Sequence, residues 1–143
     1  MIGFLIAMIS GALMSAQGVF NTQVTKSTGI WTAAAFVQFS ALCVCLVAWG
    51  ITERVPFSGL MEVQPRYLLL GGAFGAFITI TVVKSMELLG PAKAAMVIVV
   101  TQLLVAYAIE LFGLFQVEKQ EFEATKLLGM ALAIGGILLF KWK

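Results

Sequence analysis

The sequence predicts an all-α membrane protein with five transmembrane helices per chain, pairing as an antiparallel, inverted-topology dimer that makes a ten-helix bundle. Three observations carry that prediction. Of the 143 residues, 61% are hydrophobic and 11% charged, and the mean hydropathy is +1.02; an ordinary soluble domain is about half apolar and about a quarter charged. The charges gather in short stretches between long apolar runs, as spanning helices with small loops require. The Lys and Arg residues divide almost evenly between the two sides that five spans create.

Helix one is expected over residues 2–24. At about 100° per residue, Gly3, Ser10, Gln17 and Asn21 fall beside Ala7, Gly11, Met14, Ser15, Gly18, Thr22 and Thr25 on one small and polar face. Ile2, Leu5, Ile6, Met8, Ile9, Leu13, Val19, Phe20 and Val24 take the other face, and Gln23 alone breaks the sorting. A helix surrounded by lipid has no use for such a stripe, so it meets protein, water or a ligand. No positive residue precedes the run and no clear small-x-small cleavage site follows it, so it reads as a retained helix and not a signal peptide.

A tight turn over residues 25–29 makes helix two, expected over 30–51, an antiparallel neighbour. Trp31 and Trp49 lie eighteen residues apart, about 27 Å along a helix, and read as an interfacial belt. Gln38 is its one strongly polar interior residue and is expected to point into the bundle. Cys43 and Cys45, two residues apart, face different ways and suit neither a disulfide nor a shared metal site; both read as small apolar fillers.

Residues 53–66 mix charge with Pro56, Gly59 and Pro65 and read as an exposed connector. Helix three, expected over 67–83, carries Gly71, Gly72, Gly75 and Ala76, small residues that let another backbone approach. Pro91 suits the first turn of helix four, expected over 92–115. There Glu110 has apolar residues on both sides, and an acid within a span is a functional candidate by default. Gln102 and Ala106 precede it on the same side. Helix five, expected over 127–140, is short for a span, but Lys126, Lys141 and Lys143 can snorkel and Trp142 can anchor at the interface. Gly129, Ala133 and Gly136 there suggest tight packing, including between subunits.

Five spans place Arg54, Arg66, Lys119 and Lys126 on one side and Lys26, Lys84, Lys93, Lys141 and Lys143 on the other. Because this asymmetry sets orientation, four against five instructs insertion weakly. One reading is a fixed orientation with the C-terminus inside. The other is dual topology, in which oppositely inserted copies pair into an inverted repeat able to present a midplane site to each side in turn.

The runs GALMSAQGVFNTQV, LLLGGAFGAF, LLGPAKAA and TQLLVAYAIELFGLF, taken in order, resemble the half-size YdcZ-like branch of the drug/metabolite transporter superfamily over nearly the whole chain. The resemblance implies five-helix subunits, occurring as dual-topology chains, oppositely oriented pairs or fusions, and kinship with small exporters and ten-helix metabolite transporters. Thr101 stands where that pattern has Gly, and Glu110 where it has Asp, a longer carboxylate by one methylene.

The composition argues against an enzyme. There is no His, no Asp, no metal-ligand cluster and no phosphate loop, and no cofactor, metal or nucleic acid is expected. The expectation is a multi-pass transporter subunit of the bacterial inner membrane, moving a small metabolite or an amphipathic or cationic compound by alternating access. Its partners would be a second copy of itself, or an oppositely oriented paralogue, together with the lipid bilayer and a small-molecule substrate. Glu110, Gln17, Asn21, Gln102 and Gln38 are the candidate substrate- and proton-binding residues. In Glu110 a proton and a positive substrate group would compete for one carboxylate, and Gln17 and Asn21 are expected to face Gln102 and Glu110 across a shared cavity. An ion-conducting dual-topology channel and a nontransporting subunit of a membrane complex are the alternatives.

Overall fold

The computed structural model describes residues 1–141. Trp142 and Lys143, expected as an anchor and a snorkelling lysine, lie outside the described residues, as does the side chain of Lys141. Among the described residues all regular structure is helical: α1 Ile2–Thr28, α2 Ile30–Thr52, α3 Gly71–Leu89, α4 Pro91–Phe112 and α5 Ala124–Lys141, with short 3-10 helices at Phe57–Glu62, Arg66–Leu70 and Leu114–Gln116. Four helical stretches, Ile2–Thr28, Ile30–Thr52, Arg66–Leu89 and Pro91–Phe112, are long and apolar enough to cross a membrane, and Ala124–Leu139 is a shorter apolar helix. The chain forms two compact units, Met1–Leu88 and Leu89–Lys143.

In the first unit α1 packs on α2. At about 1.5 Å per residue, the 27 residues of α1 reach about 40 Å, beyond the hydrocarbon thickness of about 30 Å. The helix continues past Val24, where the sequence reading ends it, because the reversal needs one residue only. Gly29 has φ 85° and ψ 158°, a region open to glycine and strained for any other residue. Its N–H donates to Thr25 O at 2.9 Å and its carbonyl accepts from the Ala33 N–H at 3.1 Å.

Helix α3 meets both neighbours through glycine. A Cβ on Gly18 would lie 2.5 Å from Met86 Cε and 3.3 Å from Val82 Cγ1, and one on Gly75 would lie 3.2 Å from Gln38 Nε2. Gly71 and Gly72 face open space, so of the expected glycine cluster Gly75 makes the close approach. Lipid is as apolar as Leu, so helices associate through close packing and hydrogen bonds and not through hydrophobic burial. The contact of Gly18 with Met86 and Val82 is such packing. Phe4, Leu13, Phe20, Phe36, Phe39 and Leu42 are exposed, as is appropriate for surfaces solvated by acyl chains. Cys43 and Cys45 are free and exposed on α2.

The connector after α2 is held by Trp49, whose Nε1–H donates to Val55 O at 2.8 Å and whose ring lies 4.8 Å from that of Phe57. The same polar handle and apolar body that suit tryptophan to an interface here fasten a loop. Arg54 Nε donates to Gly50 O at 2.7 Å.

In the second unit α4 packs on α5. Helix α4 stops at Phe112 and not at the expected Phe115, because Gly113 turns left-handed (φ 63°, ψ 38°) and its N–H returns to the carbonyls of Ile109 and Glu110, a glycine C-cap. On α5, Gly129 and Gly136 have open space where a Cβ would stand. The tight packing expected there is not made among the described residues of this chain.

Candidate functional site

Helix α1 sorts its side chains along its last three turns. Gln17 is exposed, Gly18, Asn21, Thr22 and Thr25 are buried, and Phe20, Gln23 and Val24 are exposed. Gln23, which interrupts the apolar face, accepts a hydrogen bond from Lys26 Nζ at 3.3 Å, so its place near the helix end supports the one cation of α1. Thr22 is satisfied within the helix, its hydroxyl donating to Gly18 O at 2.8 Å. Thr25 Oγ1 is buried with no hydrogen-bond partner. Asn21 is 8% exposed, and among the described residues no hydrogen bond involves its side-chain amide. On α2, the half-buried Gln38 places Nε2 against Gly75 of α3.

The second unit holds Gln102 and Glu110 on α4. Gln102 is exposed, and Glu110 is half-buried two residues before the helix ends. Glu110 Oε2 stands 3.9 Å from Lys126 Nζ of α5, and Lys126 also approaches Glu123 Oε1 at 3.5 Å. The ammonium lies 5.8 Å from the centre of the Tyr107 ring, within cation–π range. Tyr107 is buried, and its hydroxyl accepts the Glu123 N–H at 3.2 Å. The Glu110 carbonyl accepts the Gln120 N–H at 2.9 Å. Residues 113–123 therefore fold back on the end of α4, with Phe115 and Gln116 at positive φ of 55° and 67° to make the bend.

Electrostatically the two sets differ. Gln17, Asn21 and Gln38 offer uncharged donors and acceptors, whereas Glu110 sits in a group of two carboxylates and one ammonium. Both partners of the Glu110–Lys126 pair are more than one-third exposed, and the spacing exceeds hydrogen-bond length, so the pair contributes about 0–1 kcal/mol. An open depression of about 760 Å³ beside the returning loop is lined by Leu111, Phe112, Lys119, Gln120, Glu121 and Phe122, and Glu110 is not part of that lining. Among the described residues no group of three or more His, Cys, Asp or Glu is placed to hold a metal ion.

A family model described as "Putative inner membrane exporter, YdcZ" matches residues 2–139. The chain belongs to the YdcZ family. YdcZ membership and the apolar helices make it a multi-pass inner-membrane protein of transporter type. The resemblance carried by the runs from GALMSAQGVFNTQV to TQLLVAYAIELFGLF is thus shown for the whole chain save its ends. No curated protein and no solved structure matches it.

Three residues of these groupings had no role in the sequence reading of the site. Thr25 lay on the polar face of helix one as one small residue among several. Tyr107, three residues before Glu110, carried a weak signal, since a buried tyrosine hydroxyl needs a partner. Lys126 read as a snorkelling side chain; its approach to Glu110 depends on the fold-back of the loop, which no periodicity encodes.

Proposed function

We propose that the chain is one subunit of an antiparallel dimer that exports a small metabolite or an amphipathic or cationic compound by alternating access. The observation that carries this reading lies on the polar face of a membrane span, where Asn21 is buried with its amide unpaired and Thr25 Oγ1 is buried without a partner. Polar groups within a membrane helix are costly when nothing answers them, and a transported solute answers them transiently. Family membership adds the exporter class, and the nearly balanced Lys and Arg count supports insertion of copies in both orientations.

In this reading Gln17, Asn21, Gln38 and Gln102 supply hydrogen bonds to the solute. Glu110 is the proton-exchanging carboxylate. Lys126 is shared with Glu123, so protonation of Glu110 leaves the ammonium with a partner.

A thermal-stability screen of purified protein against a metabolite library identifies the solute, because a ligand that binds the folded state alone raises its midpoint. Reconstituted protein then shows saturable flux with counterflow, and Glu110→Gln abolishes solute-driven proton movement. Unchanged coupling in Glu110→Gln removes the proton mechanism. High unitary conductance replaces the carrier with a channel, and copurification of a partner with no flux replaces it with a nontransporting subunit. Cysteines introduced at Ser27 and Ser58 each label in a fraction of molecules on intact cells if topology is dual; full protection of one and full labelling of the other refutes it.

A further inference from the structure

We propose that Asn21 and Thr25 of α1 form a hydrogen-bonding subsite that takes an uncharged polar group, a hydroxyl or a primary amide, of the solute. The proposal rests on the transporter reading and names the chemistry of one part of its site.

Six other helical threonines supply the contrast. Thr22, Thr28, Thr52, Thr79, Thr81 and Thr101 each donate the hydroxyl to the carbonyl four residues earlier, at 2.8 to 3.0 Å. That is how a threonine satisfies itself where water is absent. Thr25 has the carbonyl of Asn21 at the same spacing and does not use it, although its Oγ1 is buried. Of these seven threonines, the one whose hydroxyl is both buried and unpaired stands four residues after a buried, unpaired asparagine.

Side chains at i and i+4 are neighbours on a helix face, about 5–6 Å apart at Cβ. One small group between them can accept from the Asn21 amide nitrogen, donate to its oxygen, and exchange a hydrogen bond with the Thr25 hydroxyl, which donates once and accepts twice. Hydroxyls and primary amides combine donor and acceptor in this way. Helix α1 contains no acidic residue to answer a cation, and its single charge, Lys26, is exposed and bonded to Gln23. A cationic group would find no matching charge on this helix, and an anionic one would find only an exposed ammonium already bonded to Gln23. The recognised group is therefore neutral, whatever charge the rest of the solute carries.

Two measurements test this without a known substrate. In the ligand-free protein Thr25→Val removes an unanswered hydroxyl while keeping the side-chain shape, and the thermal midpoint rises by about 2–4 °C; Thr22→Val loses a made hydrogen bond, and its midpoint falls. Thr25→Ser, which keeps the hydroxyl, stays at the wild-type midpoint. In proteoliposomes lacking the native thiols (Cys43→Ala, Cys45→Ala), Thr25→Cys reacts with a small water-soluble methanethiosulfonate while Phe20→Cys, on the exposed apolar face, does not. Acetamide or glycerol slows that reaction about twofold or more by filling the donor and acceptor positions, and tetramethylammonium and acetate leave it unchanged.

A fall in midpoint for Thr25→Val matching that of Thr22→Val, an unreactive Thr25→Cys, or protection by the ions in place of the neutral probes overturns the subsite. Failure of all four probes to protect overturns its ligand role. None of these readouts needs flux. Absence of transport with these results intact rejects the transporter reading alone, and saturable flux with these results reversed rejects the subsite alone.

Discussion

The last turns of α1 and of α4 are both helix ends closed by a glycine at positive φ, and they handle polar groups in opposite ways. At the end of α4 the chain returns on itself, and Tyr107, Glu110, Glu123 and Lys126 answer one another within the unit. At the end of α1 the chain reverses in a single residue, Gly29, leaving no length of loop to reach back to the polar face. Asn21 is buried with its amide making no hydrogen bond among the described residues, and Thr25 Oγ1 is buried and unanswered. The difference teaches that the isolated acid on α4, the more conspicuous residue in the sequence, is locally compensated. The uncharged residues on α1 are those with bonding capacity to spare.

Substitutions can break this contrast, and the largest effect is expected where helices touch. Gly18→Leu places a branched side chain against Met86 and Val82, and overpacking of this kind costs about 1–3 kcal/mol. Gly11→Leu on the same helix, where a Cβ meets open space, stays near wild type. Thermal unfolding of the two variants in one detergent compares them, and equal losses would remove the α1–α3 contact as a determinant.

The glycine closures come next. Gly29→Ala enters a region essentially reserved for glycine and costs about 1–3 kcal/mol, whereas Gly113→Ala enters the left-handed helical region at about 1–2 kcal/mol. The ranking is read from unfolding midpoints; the reverse order would mean that the α4 closure is the tighter constraint. Gly113 also has Lys119 Cβ 3.2 Å from an added Cβ, which narrows the gap between the two variants.

Smaller effects sharpen the picture of the α4 end. Tyr107→Phe removes the acceptor of the Glu123 N–H at a cost of about 1 kcal/mol, and amide exchange should quicken at Glu123. The least effect on stability belongs to Glu110→Gln, within about 1 kcal/mol, because Lys126 keeps Glu123. A large loss in Glu110→Gln would show that the 3.9 Å pair carries more of the loop closure than its exposure implies.

The polar face of α1 is legible because its period matches a helix and its chemistry contradicts lipid, so Gln17 and Asn21 stand out from the sequence alone. Glu110 was legible for the same reason, as a lone acid in an apolar run. Thr25 was not, since Thr22 and Thr25 are the same residue three positions apart on one face. Only the geometry of each hydroxyl separates the one bonded to Gly18 O from the one left free. The helix ends were misplaced by three or four residues at α1 and α4 because a single glycine closed each of them, and composition does not tell a one-residue reversal from a five-residue turn.

The sequence by itself determined the all-helical membrane class, the apolar spans and the family, since each follows from hydropathy and the order of short motifs along the chain. The tertiary structure decided which glycines admit a neighbour, where the carboxylate of Glu110 finds its ammonium, and which buried hydroxyl stays open. Those depend on contacts between residues distant in the chain and on the direction of individual bonds, neither of which a residue's identity or spacing specifies.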